Sequence, residues 1–209
     1  MRRRKQLGGD EGWLLSYADL ITNLLVFFVV ILTAAQVSKS RMQQITKSLS
    51  GNTSPRSLEA IEDEIEKTIA ERDLEELVST ELTDDGLEVS LNSGLVFDPG
   101  FAQIRAELVP VLNDVLTVVV PYGEDYSFAV EGHSDRTPIA AGAAFASNWE
   151  LSSARALVVR ERLETAGLDR RRIRIEGYAD TKPLAPEKLA GLTEAETLAR
   201  HRRVIVRIY

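Results

Sequence analysis

An aspartate lies inside the longest apolar stretch of the chain, which runs from Leu14 to Ala35 (LLSYADLITNLLVFFVVILTAA). A charged side chain at the centre of a membrane-spanning helix costs about 2.5–3.5 kcal/mol on insertion scales, so such residues are rare without a function. Acidic groups within membrane helices commonly take up and release cations along an ion path. We therefore predict that Asp19 binds a transported ion. The structural alternative is a carboxylate that only forms a hydrogen bond to a neighbouring helix.

The polar residues around Asp19 share one side of the predicted helix. At about 100° per residue, four of them lie within about 60° of Asp19: Ser16, Thr22, Asn23 and Thr33. A polar stripe on a spanning helix is expected to face protein or water rather than lipid. We expect Ser16, Thr22 and Asn23 to neighbour the ion. That ion is predicted to be a proton, with sodium as the alternative, and no cofactor is predicted.

The apolar stretch is long enough to cross a membrane, because about 20 residues at 1.5 Å per residue span a hydrocarbon core of about 30 Å. Basic residues at positions 2–5 precede it, which favours a cytoplasmic N-terminus. We predict a cytoplasmic tail at 1–12, a transmembrane helix at 13–35 and a periplasmic remainder. The alternative is a cleaved signal peptide with residues 24–32 as its apolar core. Asp19 argues against that alternative, because a signal peptide gains nothing from a costly acid.

Composition excludes several classes of function. The 209 residues include no cysteine, so the chain has no disulfide, no thiolate metal site and no cysteine nucleophile. Its two histidines, His133 and His201, are too few for a histidine-rich metal site, and its net charge of −7 argues against general nucleic-acid binding. The sequence contains no nucleophile–base pair and no phosphate-binding loop. We therefore predict a protein that is not an enzyme and binds no metal.

A connecting region is predicted between the membrane helix and the C-terminal domain, at residues 36–85. Residues 37–49 form a short amphipathic stretch, and a cluster of loop-forming residues follows at 50–55. From Ser57 to about Ser79 a charged background carries apolar residues at spacings of three and four: Leu58, Ile61, Ile65 and Ile69. This spacing predicts an amphipathic helix.

The pattern from residue 86 to residue 209 predicts a domain of strands and crossover helices, an α/β sandwich within an α+β chain. The predicted strands are Leu87 to Leu91, Tyr126 to Glu131, Arg172 to Gly177 and Arg203 to Ile208. The predicted helices are Phe101 to Val120 (with a kink or restart at Pro110), Asn148 to Ala166 and Thr193 to Arg200.

Polar side chains fall at three points where elements of this domain begin or end. Asp135 follows a strand, Arg155 lies in the first half of a helix, and Arg202 precedes the last strand. A carboxylate near a guanidinium suits a ligand that carries both an amine and a carboxylate, since arginine offers a planar fork to carboxylates. The structural alternative is an ordinary ion pair between Asp135 and Arg155.

The N-terminal motif resembles the membrane segment of a known family. Residues 13–22 (WLLSYADLIT) and 25–30 (LVFFVV) are similar to the signature of MotB-type stator subunits. In that family the aspartate of the Tyr-Ala-Asp motif binds the ion, and a plug follows the membrane helix, so the resemblance implies ion binding for Asp19. It implies a plug at residues 37–49, with a plain juxtamembrane linker as the alternative for that segment. Asn23 departs from the family, which more often has a small or apolar residue there.

The C-terminal motifs resemble the OmpA-like peptidoglycan-binding domain, over about residues 87–209. The similar segments are VEGHSD at 130–135, SNWELSSARAL at 147–157, GYAD at 177–180, RRV at 202–204 and GLVFDPG at 94–100. The resemblance implies that Asp135 grips the amine of the peptide-stem diamino acid and that Arg155 grips its carboxylate. The other residues assigned to peptidoglycan binding are Phe97, Asp98, Asn148, Leu151 and Arg202. His201 stands where the family usually has asparagine, and an alanine-rich segment at 186–198 is longer than usual.

Together the two resemblances imply the B-type subunit of an ion-driven stator of the flagellar motor, a single-pass protein of the bacterial inner membrane. The implied partners are a multi-pass MotA-like subunit, a second copy of this chain and peptidoglycan. One alternative keeps the architecture for a gliding or phage-defence motor. The other is a static wall tether with a cleaved signal peptide, although a lipoprotein is excluded because no cysteine is available for acylation.

Overall fold

The computed structural model describes residues 12–35, 56–140 and 142–209, with side chains described as far as residue 30 in the first range. The chain divides into two compact units, residues 1–49 and residues 50–209. Residues 1–11 of the predicted tail and the predicted plug at 37–49 lie outside the described residues.

The described part of the first unit is one helix, α1, at Gly12–Ala35. It begins one residue before the predicted start at residue 13 and ends at the predicted end. At 1.5 Å per residue its 24 residues extend about 36 Å, more than the roughly 30 Å of a bilayer core. Among the described residues it is the one helix that is long and apolar enough to cross a membrane.

The second unit is built on a five-stranded sheet. Its strands are β1 (Val78–Thr83), β2 (Gly86–Asn92), β3 (Phe128–His133), β4 (Ile173–Ala179) and β5 (Arg203–Ile208). Their order across the sheet is β1-β2-β5-β3-β4, with β3 and β4 parallel and the other pairs antiparallel. The last strand therefore lies in the middle of the sheet and is hydrogen-bonded on both sides.

In the described residues of the second unit, five α-helices accompany this sheet. They are α2 (Leu58–Glu71), α3 (Ser93–Val96), α4 (Val109–Val118), α5 (Asn148–Ala166) and α6 (Glu194–His201). Helices α2, α4 and α5 pack over one face and enclose the apolar core. Helix α5 has the bounds that the sequence predicts, because Ser147 caps its N-terminus and Gly167 takes the left-handed conformation after its last residue.

The region assigned to a linker contributes to the folded unit, which corrects the predicted domain start at residue 86. The helix predicted from Ser57 to about Ser79 ends at Glu71, and Val78–Thr83 forms the edge strand β1. The apolar stripe of α2 is buried in the core: Ile61, Ile65 and Ile69. The chain turns at Asp73, whose φ is 53°, so the helical spacing cannot continue into β1.

The helix predicted over Phe101 to Val120 is also shorter than expected. Ile104 lies in extended chain and forms an isolated bridge with Phe97, and a 3₁₀ turn at Ala106–Leu108 precedes α4. Pro110 falls in the first turn of α4, where a missing N–H is tolerated. The proline therefore marks a helix start.

Charged side chains are buried on the sheet face opposite α5. Glu131 and His133 of β3 are 1% and 2% exposed, and Arg207 lies 2.8 Å from Glu131 and 3.0 Å from Glu88. Burial alone would raise the pKa of Glu131, but His133, Arg207 and Lys182 hold it below its ordinary value. Burial lowers the pKa of His133, although the Glu131 carboxylate 3.4 Å from its Nε2 favours the charged form.

The segment between β4 and β5 crosses this charged face. Lys188 pairs with Glu81 of β1, and the Lys182 carbonyl accepts a hydrogen bond of 3.1 Å from Arg203 of β5. Within the described chain, neither ring nitrogen of His133 has a hydrogen-bonding partner. The His133 ring stacks on Tyr178, with ring centroids 5.4 Å apart.

Replacing Gly132 with alanine is expected to destabilise the fold severely. A Cβ at this position would lie 1.9 Å from the Ser152 carbonyl oxygen, so α5 would have to move away from β3. We expect a loss on the order of 3 kcal/mol in the free energy of unfolding, measured by urea denaturation of the full-length protein in detergent. Gly191→Ala is the control, because it adds only left-handed strain of about 1 kcal/mol in open space. Equal losses in the two variants would contradict the close packing.

The stability of the folded unit is expected to fall as the pH drops below about 6.5, the ordinary pKa of histidine. The pKa of His133 is lower in the folded chain than in the unfolded chain, so the unfolded chain takes up the proton first. The loss approaches about 1.4 kcal/mol per pH unit for one such group. His133→Gln should flatten the dependence of the thermal midpoint between pH 7.5 and 5. The half-exposed His201→Gln should change it less, and an unchanged slope in His133→Gln would contradict this origin.

Candidate functional site

A pocket of about 580 Å³ opens where the three polar segments of the sequence meet. It contains six of the seven residues that were assigned to peptidoglycan binding: Phe97, Asp135, Asn148, Leu151, Arg155 and Arg202. The register of the sheet brings them together, because His133 at the end of β3 lies opposite Arg203 at the start of β5. Asp135 lies two residues after His133, and Arg202 lies directly before Arg203, so both reach the same edge of the sheet.

The start of α5 supplies one wall of the pocket. Ser147 accepts a hydrogen bond from the Glu150 N–H, which fixes the first helical residue at Asn148. Asn148, Leu151 and Arg155 then recur at spacings of three and four and lie on one helix face. The Asn148 amide donates to the Thr137 carbonyl at 2.9 Å and thereby ties the loop after β3 to the helix.

Arg155 is a buried cation whose hydrogen bonds go to uncharged acceptors. It is 4% exposed and donates to the Phe101 carbonyl at 2.9 Å, the Ser93 hydroxyl at 3.0 Å and the Asp98 carbonyl at 3.2 Å. Its guanidinium also lies 5.1 Å from the centre of the Phe97 ring. Burial, together with repulsion from Arg202, lowers the pKa of Arg155 to about 10, so it stays charged at neutral pH.

Asp135 is the buried carboxylate of the pocket, with a side chain 7% exposed. One oxygen accepts the Thr137 N–H at 2.8 Å, and the other accepts Arg202 Nη1 at 2.5 Å. The ion pair that was considered as the structural alternative, between Asp135 and Arg155, is replaced by this pair with Arg202. Asp135, which is expected to bind the ligand amine, and Arg155, which is expected to bind the ligand carboxylate, are therefore not paired with each other.

Asp98, which is predicted to bind peptidoglycan, contributes its backbone rather than its side chain to the pocket. Its carboxylate is 62% exposed, pairs with Arg105 at 3.1 Å and belongs to a shallow pocket on another side of the turn. Its carbonyl oxygen instead accepts a hydrogen bond from Arg155. The sequence motif shows that the residue is present but does not show which of its atoms the site uses.

Sequence reasoning missed three residues that shape the pocket. Ser93 and the Phe101 carbonyl hold Arg155, and Thr137 holds both Asp135 and Asn148. The available sequence indication was Asn92, whose side chain caps α3 through the Gly94 N–H and so places Ser93. The remaining wall is apolar: Pro99, Pro138, Ile139, Ala140, Ala143 and Ala144. The pocket combines one carboxylate and two guanidinium groups with an apolar wall.

His201 lies in a smaller neighbouring pocket that shares Ser134 and Asp135 with the main one. Its Nδ1 accepts a hydrogen bond of 3.3 Å from the Leu184 N–H, and burial lowers its pKa. The alanine-rich segment at 186–198 forms a 3₁₀ turn at Pro186–Leu189 and the start of α6. His201 therefore fixes the backbone beside the site while Arg202 enters it.

Asp19 lies on α1, where the side chains from residue 12 to residue 30 are exposed. The Thr22 hydroxyl donates to the Asp19 carbonyl at 2.9 Å, and the Ser16 hydroxyl donates to the Gly12 carbonyl at 3.5 Å. Both neighbours therefore bond their own helix backbone in this structure. The helix places Asn23 on the same side as Asp19, as its spacing predicts.

Two family models match separate parts of the chain. The model described as "Membrane MotB of proton-channel complex MotA/MotB" matches residues 1–53, and the model of the OmpA family matches residues 96–196. The first match contains Asp19, and the second contains Asp135 and Arg155.

Full-length relatives agree with these matches. Motility protein B of Bacillus subtilis is 28% identical over 95% of this chain and 90% of its own length. Motility protein B of Escherichia coli strain K12 is 25% identical over 88% of this chain and 76% of its own length.

Solved structures share the fold of the second unit. A MotB-like protein from Desulfovibrio vulgaris superposes with a TM-score of 0.63 at 22% identity, over 72% of this chain and 90% of that one. The cell wall anchor of the T6SS from Pseudomonas aeruginosa gives 0.57 at 31% identity, over 69% of this chain and 96% of that one.

The sheet, its helices and the pocket define an OmpA-like domain, carried on a chain with one apolar N-terminal helix. The MotB model matches across that helix and the motility proteins align over most of the chain, so the chain is similar to the MotB-type stator proteins in both units.

Proposed function

We propose that this chain is the B-type subunit of an ion-driven stator, in which ion flow through Asp19 is coupled to rotation of the flagellar motor. The observation that carries the proposal is Asp19 itself, the one charged residue in the 24 residues of α1. An acid in such a helix is stabilised by taking up a cation or by facing water within a helix assembly. The MotB match across residues 1–53 supports this role, with a proton as the proposed ion and sodium as the alternative.

The proposed anchor is the pocket of the second unit, with the diamino acid of the peptidoglycan stem as its ligand. The ligand ammonium would bind Asp135, and its carboxylate would bind the free N–H groups of Arg155. Three of the five N–H groups of Arg155 serve the Ser93, Asp98 and Phe101 acceptors, which leaves donors for a carboxylate. The apolar wall suits the methylene stem of such a ligand.

The proposed partners are a multi-pass MotA-like subunit and a second copy of this chain. The description of the matching model as part of a MotA/MotB complex supports the first partner. The proposed location is the bacterial inner membrane, with a cytoplasmic N-terminus and a periplasmic second unit. In this arrangement Asp19 changes charge as it takes up and releases the ion, and the surrounding subunits repack in response. No covalent chemistry is required.

One observation favours a second candidate, in which the same architecture anchors another machine. The wall anchor of a secretion system is 31% identical over the second unit. The anchoring role is common to both candidates. The role of Asp19 separates a motor from a static tether.

Replacing Asp19 with asparagine is expected to abolish ion flux and rotation, because a neutral amide cannot exchange a cation. Membrane insertion and wall binding should stay at wild-type level, since the second unit is unchanged. The measurements are swimming or tethered-cell rotation and ion flux, in cells that co-express the multi-pass partner. Leu24→Ala, on another face of the same helix, is the matched control and should retain rotation. Rotation retained by Asp19→Asn, or a mature N-terminus beyond residue 35, would favour the static tether.

Replacing Arg155 with lysine is expected to reduce binding to isolated cell-wall sacculi at least about tenfold. Lysine keeps the charge but loses the planar fork, and its ammonium cannot satisfy three acceptors and a ligand carboxylate together. The measurement is co-sedimentation of the full-length protein in detergent with purified sacculi. Asp98→Ala is the matched control and should bind like the wild type, since only the Asp98 backbone enters the site. Weaker binding by Asp98→Ala than by Arg155→Lys would reject this geometry.

A further inference from the structure

The carboxylate of Asp135 is already paired with a cation, the guanidinium of Arg202. We infer that Arg202 is a resident counter-ion which the ammonium of a ligand must displace, so that Arg202 determines which ligands the pocket accepts. The accepted class is a zwitterion, with an ammonium and a carboxylate on the same end of an apolar stem. The inference rests on the proposed wall-binding function and adds a selectivity mechanism to it.

The attachment of Arg202 differs from that of Arg155 in a way that allows displacement. Its side chain is 37% exposed, and within the described chain Asp135 is its one hydrogen-bonding partner, at 2.5 Å. Gly94 offers no side chain beside it, since a Cβ there would lie 3.9 Å from Arg202 Nε and Nη2. Arg155 is almost fully buried and bound to three acceptors. The pocket thus holds one fixed guanidinium and one movable guanidinium.

The charges of the pocket define what can replace Arg202. Asp135 carries −1 and the two arginines carry +2, so the pocket has a net charge of about +1. The two like-charged guanidinium groups repel one another, and after burial this repulsion is the second cause that lowers the pKa of Arg155. A ligand carboxylate placed against both arginines relieves that repulsion, while the ligand ammonium takes over Asp135. The Asp135–Arg202 pair is lost, and the ligand forms one ion pair with Asp135 and at least one with the arginines.

Ligands that carry only one of the two groups cannot complete this exchange. An amine alone would have to displace Arg202 from Asp135 and leave two unpaired guanidinium groups in the pocket, an arrangement disfavoured by like-charge repulsion. A carboxylate alone can reach Arg155 but leaves the Asp135–Arg202 pair in place. Arg202 therefore excludes simple amines, which a bare buried carboxylate would otherwise attract.

The test compares three small molecules on the full-length protein in detergent by isothermal titration calorimetry: meso-diaminopimelate with both groups, pimelate with carboxylates only and cadaverine with amines only. For the wild type we expect affinity to fall in that order, with cadaverine at least about a hundredfold weaker than diaminopimelate. In Arg202→Gln, cadaverine should bind at least about tenfold more tightly than to the wild type. Arg202→Lys should retain the wild-type selectivity, because it keeps a cation beside Asp135.

The double variant Asp135→Asn, Arg202→Gln should lose the gained affinity for cadaverine, which places the amine on Asp135. Unchanged or weaker cadaverine binding by folded Arg202→Gln would overturn the inference, as would an equal loss for all three molecules. Should Arg202→Gln fail to fold, a structure of the wild type with diaminopimelate decides. Arg202 Nη1 should then lie more than about 4 Å from Asp135 Oδ2, and an intact 2.5 Å pair would reject displacement.

Failure of the proposed function gives a different result. If the wild type binds neither sacculi nor diaminopimelate, the wall-binding function is rejected. The gain of cadaverine binding in Arg202→Gln still reports whether Arg202 shields Asp135. If sacculi bind but selectivity is unaltered in Arg202→Gln, the wall-binding function stands and the resident counter-ion is rejected.

Discussion

The buried guanidinium of Arg155 is the interaction on which the architecture of the pocket depends. Its three acceptors come from two separate places, Ser93 at the start of α3 and the carbonyls of Asp98 and Phe101 in the following turn. A desolvated cation is costly unless its donors are satisfied, so the turn must keep its shape for α5 to stay in place. Because these acceptors are uncharged, the positive charge itself is not neutralised. The same contacts that stabilise the fold therefore preserve an attraction for a carboxylate.

The sheet register explains why residues distant in sequence meet at this guanidinium. The centre of the sheet is β5, with the start of β5 beside the end of β3 on one side and the end of β2 on the other. Ser93 follows β2, and its N–H donates to the Arg202 carbonyl at 3.0 Å. Gly132 lets α5 approach β3 until its Ser152 carbonyl fills the place of a side chain. Strand pairing and helix approach thus fix the walls of the pocket.

Much of this arrangement could be predicted from the sequence because it follows from local signals. Ser147 and Gly167 fix both ends of α5. The sequence motifs at 130–135 and 147–157 identify Asp135 and Arg155. The strand β1 could not be predicted so easily, because Val78–Thr83 is short and follows a strongly helical spacing, and its identity comes from pairing with β2. The partner of Asp135 and the use of the Asp98 carbonyl depend on side-chain and backbone directions across the fold. Such directions are tertiary properties that spacing does not specify.

The two units share a physical property that explains why they occur in one chain. Asp19 lies in an apolar helix without a charged partner among residues 12–30, and Arg155 lies buried without a carboxylate on its donors. The Arg155 charge is desolvated but not neutralised, and the Asp19 charge would be desolvated if α1 spans a membrane as proposed. In the proposed function, a cation within a helix assembly stabilises Asp19 and an anionic ligand stabilises Arg155. Such a chain would hold an ion-conducting assembly against a fixed matrix, since each group would be completed by a partner from outside the chain.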